Sequence, residues 1–345
     1  MPAKLDGIFV SLNALTAVWS PTQWEADLHS MRDVGMTFFV VAHGARGVGP
    51  PTAECPSGTF ESYFPPPSAC FTQVGDLKSP GGTIGTIVRA AESVGLGVHL
   101  GLGLQTGYSA ESWSNATIVK SFAWTQWTIA QSLWTAANAS TRVEGFYTEI
   151  EESNNAMWLG AMKYFAPHYL NSIAADVKGL RSDLLVWSSP YGVANRTRYP
   201  ATEYVPPAVY AEVWEQAFLW APNFDLVAQQ DSTGALANSL SDVREFLTNL
   251  SAASTRQRRP LWSNVELFEV WPRSCEWPDA CHGRHPAPFS RIKAQLENER
   301  PLAEKLIAWE WSSCLSPNNG SETWPEATKA NYEAYKAYLA GDGGR

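Results

Sequence analysis

The chain has 345 residues, 45% of them hydrophobic and 17% charged, ample for a large buried core and compatible with two domains or one α/β barrel with long loops. Its formal net charge of -9 argues against nucleic acid or an anionic membrane surface as partner, because both attract basic patches. No apolar run approaches the roughly 20 residues of a membrane span.

Apolar runs and helical patterns alternate from end to end. Met1-Pro2-Ala3-Lys4 leads almost directly into strand 7–13, so any signal segment is expected to have been removed or never to have existed. Ser20 as N-cap and Pro21 at the first helical position start helix 21–34. Strand 37–43 follows, then a long loop over 44–80 and helix 82–94. Strand 97–104 leads to helix 114–137, and strand 145–151 to helix 154–178. Strand 184–189 precedes helix 206–219, and strand 225–230 precedes helix 240–252. After strand 261–267 come a second long loop, 270–288, and helix 288–303. Strand 306–312 and helix 325–339 close the chain. Several strands are continuous Val/Ile/Leu/Phe runs, as parallel strands covered on both faces require. Eight strands, each followed by a helix, give the count of a single-domain (β/α)8 TIM barrel with long loops after strands 2 and 7. A doubly wound sheet is the alternative, but Val10-Ser11-Leu12-Asn13 carries no Gly-rich turn for a dinucleotide.

Cys55 and Cys70 flank one loop segment and Cys275 and Cys281 another, which reads as two disulfide staples, leaving Cys314 as a buried thiol. Sequons stand at Asn115, Asn138, Asn195, Asn249 and Asn319. Together these features point to a secreted glycoprotein; the rival is a cytosolic enzyme with five free thiols. Cys275, Cys281, His282 and His285 also contain four zinc-type ligands, but their spacing fits no common finger or ribbon. No metal or other cofactor is expected. The Walker loop, H-E-x-x-H and G-x-S-x-G are all absent from the sequence.

A TIM barrel presents its active site at the carboxyl ends of the strands. Strand 4 there carries Glu149, Glu151 and Glu152, and strand 7 carries Glu266 with Glu269 just beyond. Side chains alternate along a strand. With Tyr147 inward, Glu149 and Glu151 point inward too. Trp262, Asn264 and Glu266 share a face across the barrel mouth. Two facing carboxyls are the machinery of glycoside hydrolysis, one donating a proton to the leaving oxygen, the other attacking the anomeric carbon or activating water. Glu151 and Glu266 are the expected pair and Glu149 the reserve, with Glu152 a helix-start residue and Glu269 a surface charge. Expected sugar contacts are Asn13, Gln105, Tyr147, Tyr191, Asp231, Asn264 and Glu310, with Trp113, Trp271 and Trp311 as stacking platforms. Trp124, Trp127 and Trp134 read instead as a packing stripe on one helix.

Gly145-Phe146-Tyr147 with Glu151, Trp187-Ser188-Ser189-Pro190-Tyr191, Gln230-Asp231-Ser232-Thr233-Gly234 and Leu261-Trp262-Ser263-Asn264-Val265-Glu266 occur in that order. Trp24, Met31, Gly35-Met36-Thr37 and Ser316-Pro317 accompany them. This ordering resembles a widespread TIM-barrel family catalogued as a domain of unknown function and similar to clan A glycoside hydrolases. The resemblance implies Glu151 as acid/base, Glu266 as nucleophile, and retention of configuration. Ile150 stands where clan A enzymes often carry Asn, which keeps Glu149 in reserve. The expectation is a secreted, monomeric, cofactor-free glycoside hydrolase with a carbohydrate substrate; the alternative is a carbohydrate-binding barrel without turnover.

Overall fold

The computed structural model describes residues 2–13, 16–49, 54–55, 58–76, 78–104, 112–194, 203–270, 284–318 and 324–341. Gln105, Trp271, Cys275, Cys281, His282 and the sequon residues Asn195 and Asn319 lie outside them. Eight parallel strands close a barrel: β1 (Gly7–Ser11), β2 (Phe38–Ala42), β3 (Gly97–Gly101), β4 (Val143–Thr148), β5 (Leu185–Ser188), β6 (Leu226–Gln230), β7 (Leu261–Glu266) and β8 (Lys305–Trp309). Each strand pairs with the next, and β8 returns to β1 with Gly7 opposite Ile307. Phe9, Phe38, Trp187 and Trp262 fill the interior, with Val40, Ala228 and Ile307 between them, so the barrel is a packed core.

Helices form the outer layer because each carries one apolar face. In α1 (Pro21–Asp33), Ser20 and Gln23 form a reciprocal capping box while Trp24, Leu28 and Met31 turn inward. α2 spans Gly82–Val94, and α3 (Ala116–Ala136) starts at Asn115, whose side chain accepts from Thr117 N–H. The buried face of α3 runs through Val119, Phe122, Ile129 and Leu133; of the expected Trp stripe, Trp127 and Trp134 are half-buried against the core, whereas Trp124 is 69% exposed. The helix expected over 154–178 runs unbroken from Ala156 to Leu180, as α4 (Ala156–Phe165), a wide π-helical turn at Ala166–Leu170 and α5 (Asn171–Leu180). That turn holds Pro167, which has no N–H for a regular ladder.

Strands 4 and 8 are shorter than expected. β4 ends at Thr148, so Glu149 and Glu151 belong to the segment beyond it. β8 ends at Trp309, and Trp311 opens a short helix, Trp311–Cys314. The loop after β2 is not irregular: Ala45–Gly49, Thr59–Ser62 and Phe71–Gln73 join Gly103–Leu104 in a small sheet. A Cys55–Cys70 disulfide spans it, with the Cα atoms 5.7 Å apart. After β7, Phe268–Val270 pairs antiparallel with Arg284–Pro286. Cys314 is a buried free thiol, pushed up to about 12 by burial. Asn115 and Asn138 are exposed, and Asn249 is half-buried on a helix. Among the described residues, no helix is long and apolar enough to cross a membrane.

Candidate active site

At the carboxyl end of the barrel lies a pocket of about 330 Å³. The alternation that turns Tyr147 inward persists past the end of β4, and both Glu149 and Glu151 reach the pocket. On the other side, β7 brings Asn264 and Glu266 to the same space, above the inward Trp262. Carboxylates from two distant strands therefore share one cavity.

Their surroundings differ. Glu266 is only 4% exposed, and its Oε2 accepts the Ala235 N–H at 2.7 Å. Burial, reinforced by the negative charge of Asp231, pushes its pKa up to about 7, against the opposing pull of the Ala235 N–H, Arg284 and Arg291. Glu151 accepts from Gln230 Nε2 at 3.0 Å. Solvent reaches Glu151 through the pocket, yet protein encloses it on the other sides, and this enclosure raises its pKa against the Gln230 hydrogen bond and the Arg284 charge. Water in the pocket tempers that rise. Glu149 is committed elsewhere. Its Oε1 accepts the His43 N–H at 2.7 Å, and its Oε2 lies 3.0 Å from His43 Nδ1. Burial alone would lower the His43 pKa, but the Glu149 carboxylate overrides it and the net shift is upward.

Two glycines make room for these groups. A Cβ at Gly101 would run into Glu149 Oε1, and one at Gly234 would run into the Phe268 carbonyl and come within 3.1 Å of Glu266 Oε2. Any other residue at either position would displace a pocket carboxylate or its support.

Tyr147, Tyr191 and Asn264 also line the pocket. Tyr147 packs on Trp187, ring centroids 4.7 Å apart. Asn264 Nδ2 donates to Ser189 Oγ at 2.9 Å, and its Oδ1 has no partner among the described residues. The remaining expected contacts sit elsewhere. Asp231 is buried beneath the site, accepting from the N–H groups of Thr233 and Glu266 and from Gln295 Nε2. Asn13 turns to Thr16, whose N–H it accepts at 3.0 Å. Glu310 caps the helix after β8 by accepting the Ser313 N–H at 2.7 Å. Trp311 is fully buried and donates to Asp27 at 2.6 Å, and Trp113 stacks on Trp158 at 5.6 Å in the core.

Two acids behave differently from expectation. Glu152 is no surface helix-start: it is fully buried beside the Ser188 hydroxyl without a well-aligned hydrogen bond, and burial pushes it up to about 8. Glu269 is likewise buried, 3.6 Å from Arg291.

His43, Gln230, Phe268, Arg284 and Trp309 line the pocket without having been anticipated. His43 and Gln230 end predicted strands, so the carboxyl-end rule already pointed at them. Trp309 shares the inward parity of Ile307, the signal that an overlong strand 8 obscured. Arg284 carried no signal, since it reaches the pocket only through its pairing with Val270.

Among solved structures, the chain is similar to one described as a "putative alpha-L-fucosidase" from Bacteroides thetaiotaomicron, with TM-score 0.71 and 16% identity over 98% of this chain and 96% of that one. It is similar also to an endo-1,4-β-mannanase from Rhizomucor miehei, with TM-score 0.58 and 11% identity over 99% and 96%. A GH113 β-1,4-mannanase gives TM-score 0.56 and 11% identity over 99% of both chains. At such identities the likeness is one of fold. No curated protein matches the sequence. Residues 5–321 match the family described as domain of unknown function DUF4434, a span that takes in the barrel from β1 to β8, and the chain belongs to that family.

Proposed function

We propose that the protein is a secreted, retaining glycoside hydrolase in which Glu151 is the acid/base and Glu266 the nucleophile. The observation that carries this reading is the opening of carboxylates from β4 and β7 into one pocket beside the half-buried Trp309. A sugar ring stacked on Trp309 presents its anomeric carbon to Glu266, which attacks while Glu151 donates a proton to the departing oxygen. Water then enters, Glu151 removes its proton, and the glycosyl–Glu266 bond breaks. Glu266 must be ionised to attack. Its pKa of about 7 therefore sets the acidic limb, and kcat/KM is expected to fall below about pH 7 as the carboxylate takes up a proton. The structural neighbours' names, a fucosidase and two mannanases, support carbohydrate as the substrate class. Secretion is supported by the Cys55–Cys70 disulfide and the exposed sequons.

The test is a screen of the purified protein against polysaccharides and aryl glycosides, following new reducing ends and, by NMR, the first-formed anomer. Retention is expected. Inversion would remove the nucleophile role from Glu266, and sugar binding without new reducing ends would leave a non-catalytic barrel.

A further inference from the structure

Two arginines flank the β7 side of the pocket, and their use of hydrogen-bonding capacity differs. Arg291 is spent on the fold: Nη2 donates to the carbonyls of Glu266 at 2.8 Å and Phe268 at 2.7 Å, and Nε faces Glu269. Arg284 lines the pocket itself and makes no hydrogen bond or ion pair among the described residues. Its guanidinium lies 4.4 Å from the centroid of the Phe268 ring. That contact seats the group over the ring face, and its N–H donors meet no acceptor among the described residues. The pairing of Arg284 with Val270 anchors its backbone.

Balancing the pocket carboxylates does not account for Arg284. Each of those acids already has a closer donor: Glu149 has His43, Glu151 has Gln230, and Glu266 has the Ala235 N–H. Arg284 influences Glu151 and Glu266 through space without touching either. A positioned guanidinium with free donors, beside an aromatic surface, matches the planar, bidentate geometry of a carboxylate.

We propose that Arg284 forms an anion-recognition subsite and that the sugar this pocket accepts carries a carboxylate, as a hexuronic acid does. The proposal rests on the reading of the pocket as a sugar site and adds the substrate class. The other acids do not bar such a ligand: Glu149, Glu151 and Glu266 are each held by a donor of the protein, His43, Gln230 and the Ala235 N–H respectively.

The experiment measures binding first, so that it does not depend on turnover. Glucuronate, galacturonate, glucose, galactose and glucose 6-sulfate are titrated into the full chain and into its Arg284→Met variant by calorimetry or NMR. A charge-assisted contact is expected to favour a uronate over the matching neutral sugar by about 10- to 100-fold, with Arg284→Met collapsing that ratio towards one. Raising the salt concentration should narrow it too. Hydrolysis of aryl uronides and neutral aryl glycosides is then compared as a ratio of kcat/KM. Equal binding of uronate and neutral sugar overturns the proposal, as does a uronate preference that survives Arg284→Met. A preference for the sulfate over both uronates overturns the carboxylate assignment. Uronate binding through Arg284 without cleavage of any glycoside upholds the subsite and refutes the hydrolase; cleavage of neutral glycosides with no uronate preference does the reverse.

Discussion

Replacing Glu266 with Gln is expected to lower hydrolysis by about 10⁴- to 10⁶-fold, since an amide cannot form the glycosyl ester on which the two-step route depends. The loss should be chemical and not structural. Gln keeps an oxygen for the Ala235 N–H, and replacing a buried carboxyl whose pKa is about 7 by its neutral isostere relieves repulsion from Asp231. Thermal stability should therefore stay within about 1 kcal/mol of the parent or rise. Glu151→Gln is expected to cost about 10²- to 10⁴-fold, the range of a general acid/base. Its signature is selective: substrates with good leaving groups, which need no proton, should suffer least at the first step. Azide should restore turnover of those substrates in Glu151→Ala and give a glycosyl azide of retained configuration. Near-normal turnover in Glu266→Gln or Glu151→Gln removes that residue from the mechanism.

Glu152→Gln should change stability in a way that depends on pH. The Glu152 carboxyl is pushed from 4.5 to about 8 by burial, so the folded protein holds a proton that the unfolded chain releases. A raised carboxyl contributes its full stability below about pH 4.5 and loses it progressively as the pH climbs to about 8. On a scale of 1.36 kcal/mol per pKa unit, that loss is up to about 5 kcal/mol. Gln has no proton to lose. The variant should match the parent near pH 4 and exceed it by a few kcal/mol at pH 9, read by urea unfolding at both values. Asp231, Glu266 and Glu299 are also buried with raised pKa values and titrate in parent and variant alike, so the difference isolates Glu152. An equal effect at both pH values would mean that Glu152 does not carry the buried proton.

The barrel was legible because several strands, buried on both faces, read as apolar runs that alternate with helical patterns. Parity then carried Glu149, Glu151, Asn264 and Glu266 to the pocket, since side-chain alternation survives even where β4 stops pairing at Thr148. What alternation does not reveal is where a strand ends. Strand 8 read three residues too long put Trp311 in the place of Trp309, and Glu310 beside it proved to be a helix cap. Asp231 missed for a simpler reason: Ala228 is inward, so Gln230 is inward and Asp231 must face the helices. Glu152 was misread because charge suggests a surface, and nothing local marks a carboxyl that folding buries without a well-aligned partner. Arg284 depends on a pairing across the long loop after β7, a contact that no local pattern encodes.

Trp309 has a further consequence. Sixteen tryptophans emit from this chain, but among the described residues Trp309 alone lines the pocket, its ring centroid 6.4 Å from that of His43. A ligand that covers the indole displaces water from it and alters its distance from the His43 imidazole, and both change emission. The protein thus carries its own optical reporter of occupancy. Unlabelled natural saccharides can be ranked by direct titration, and Trp309→Phe identifies the share of the signal that belongs to the pocket.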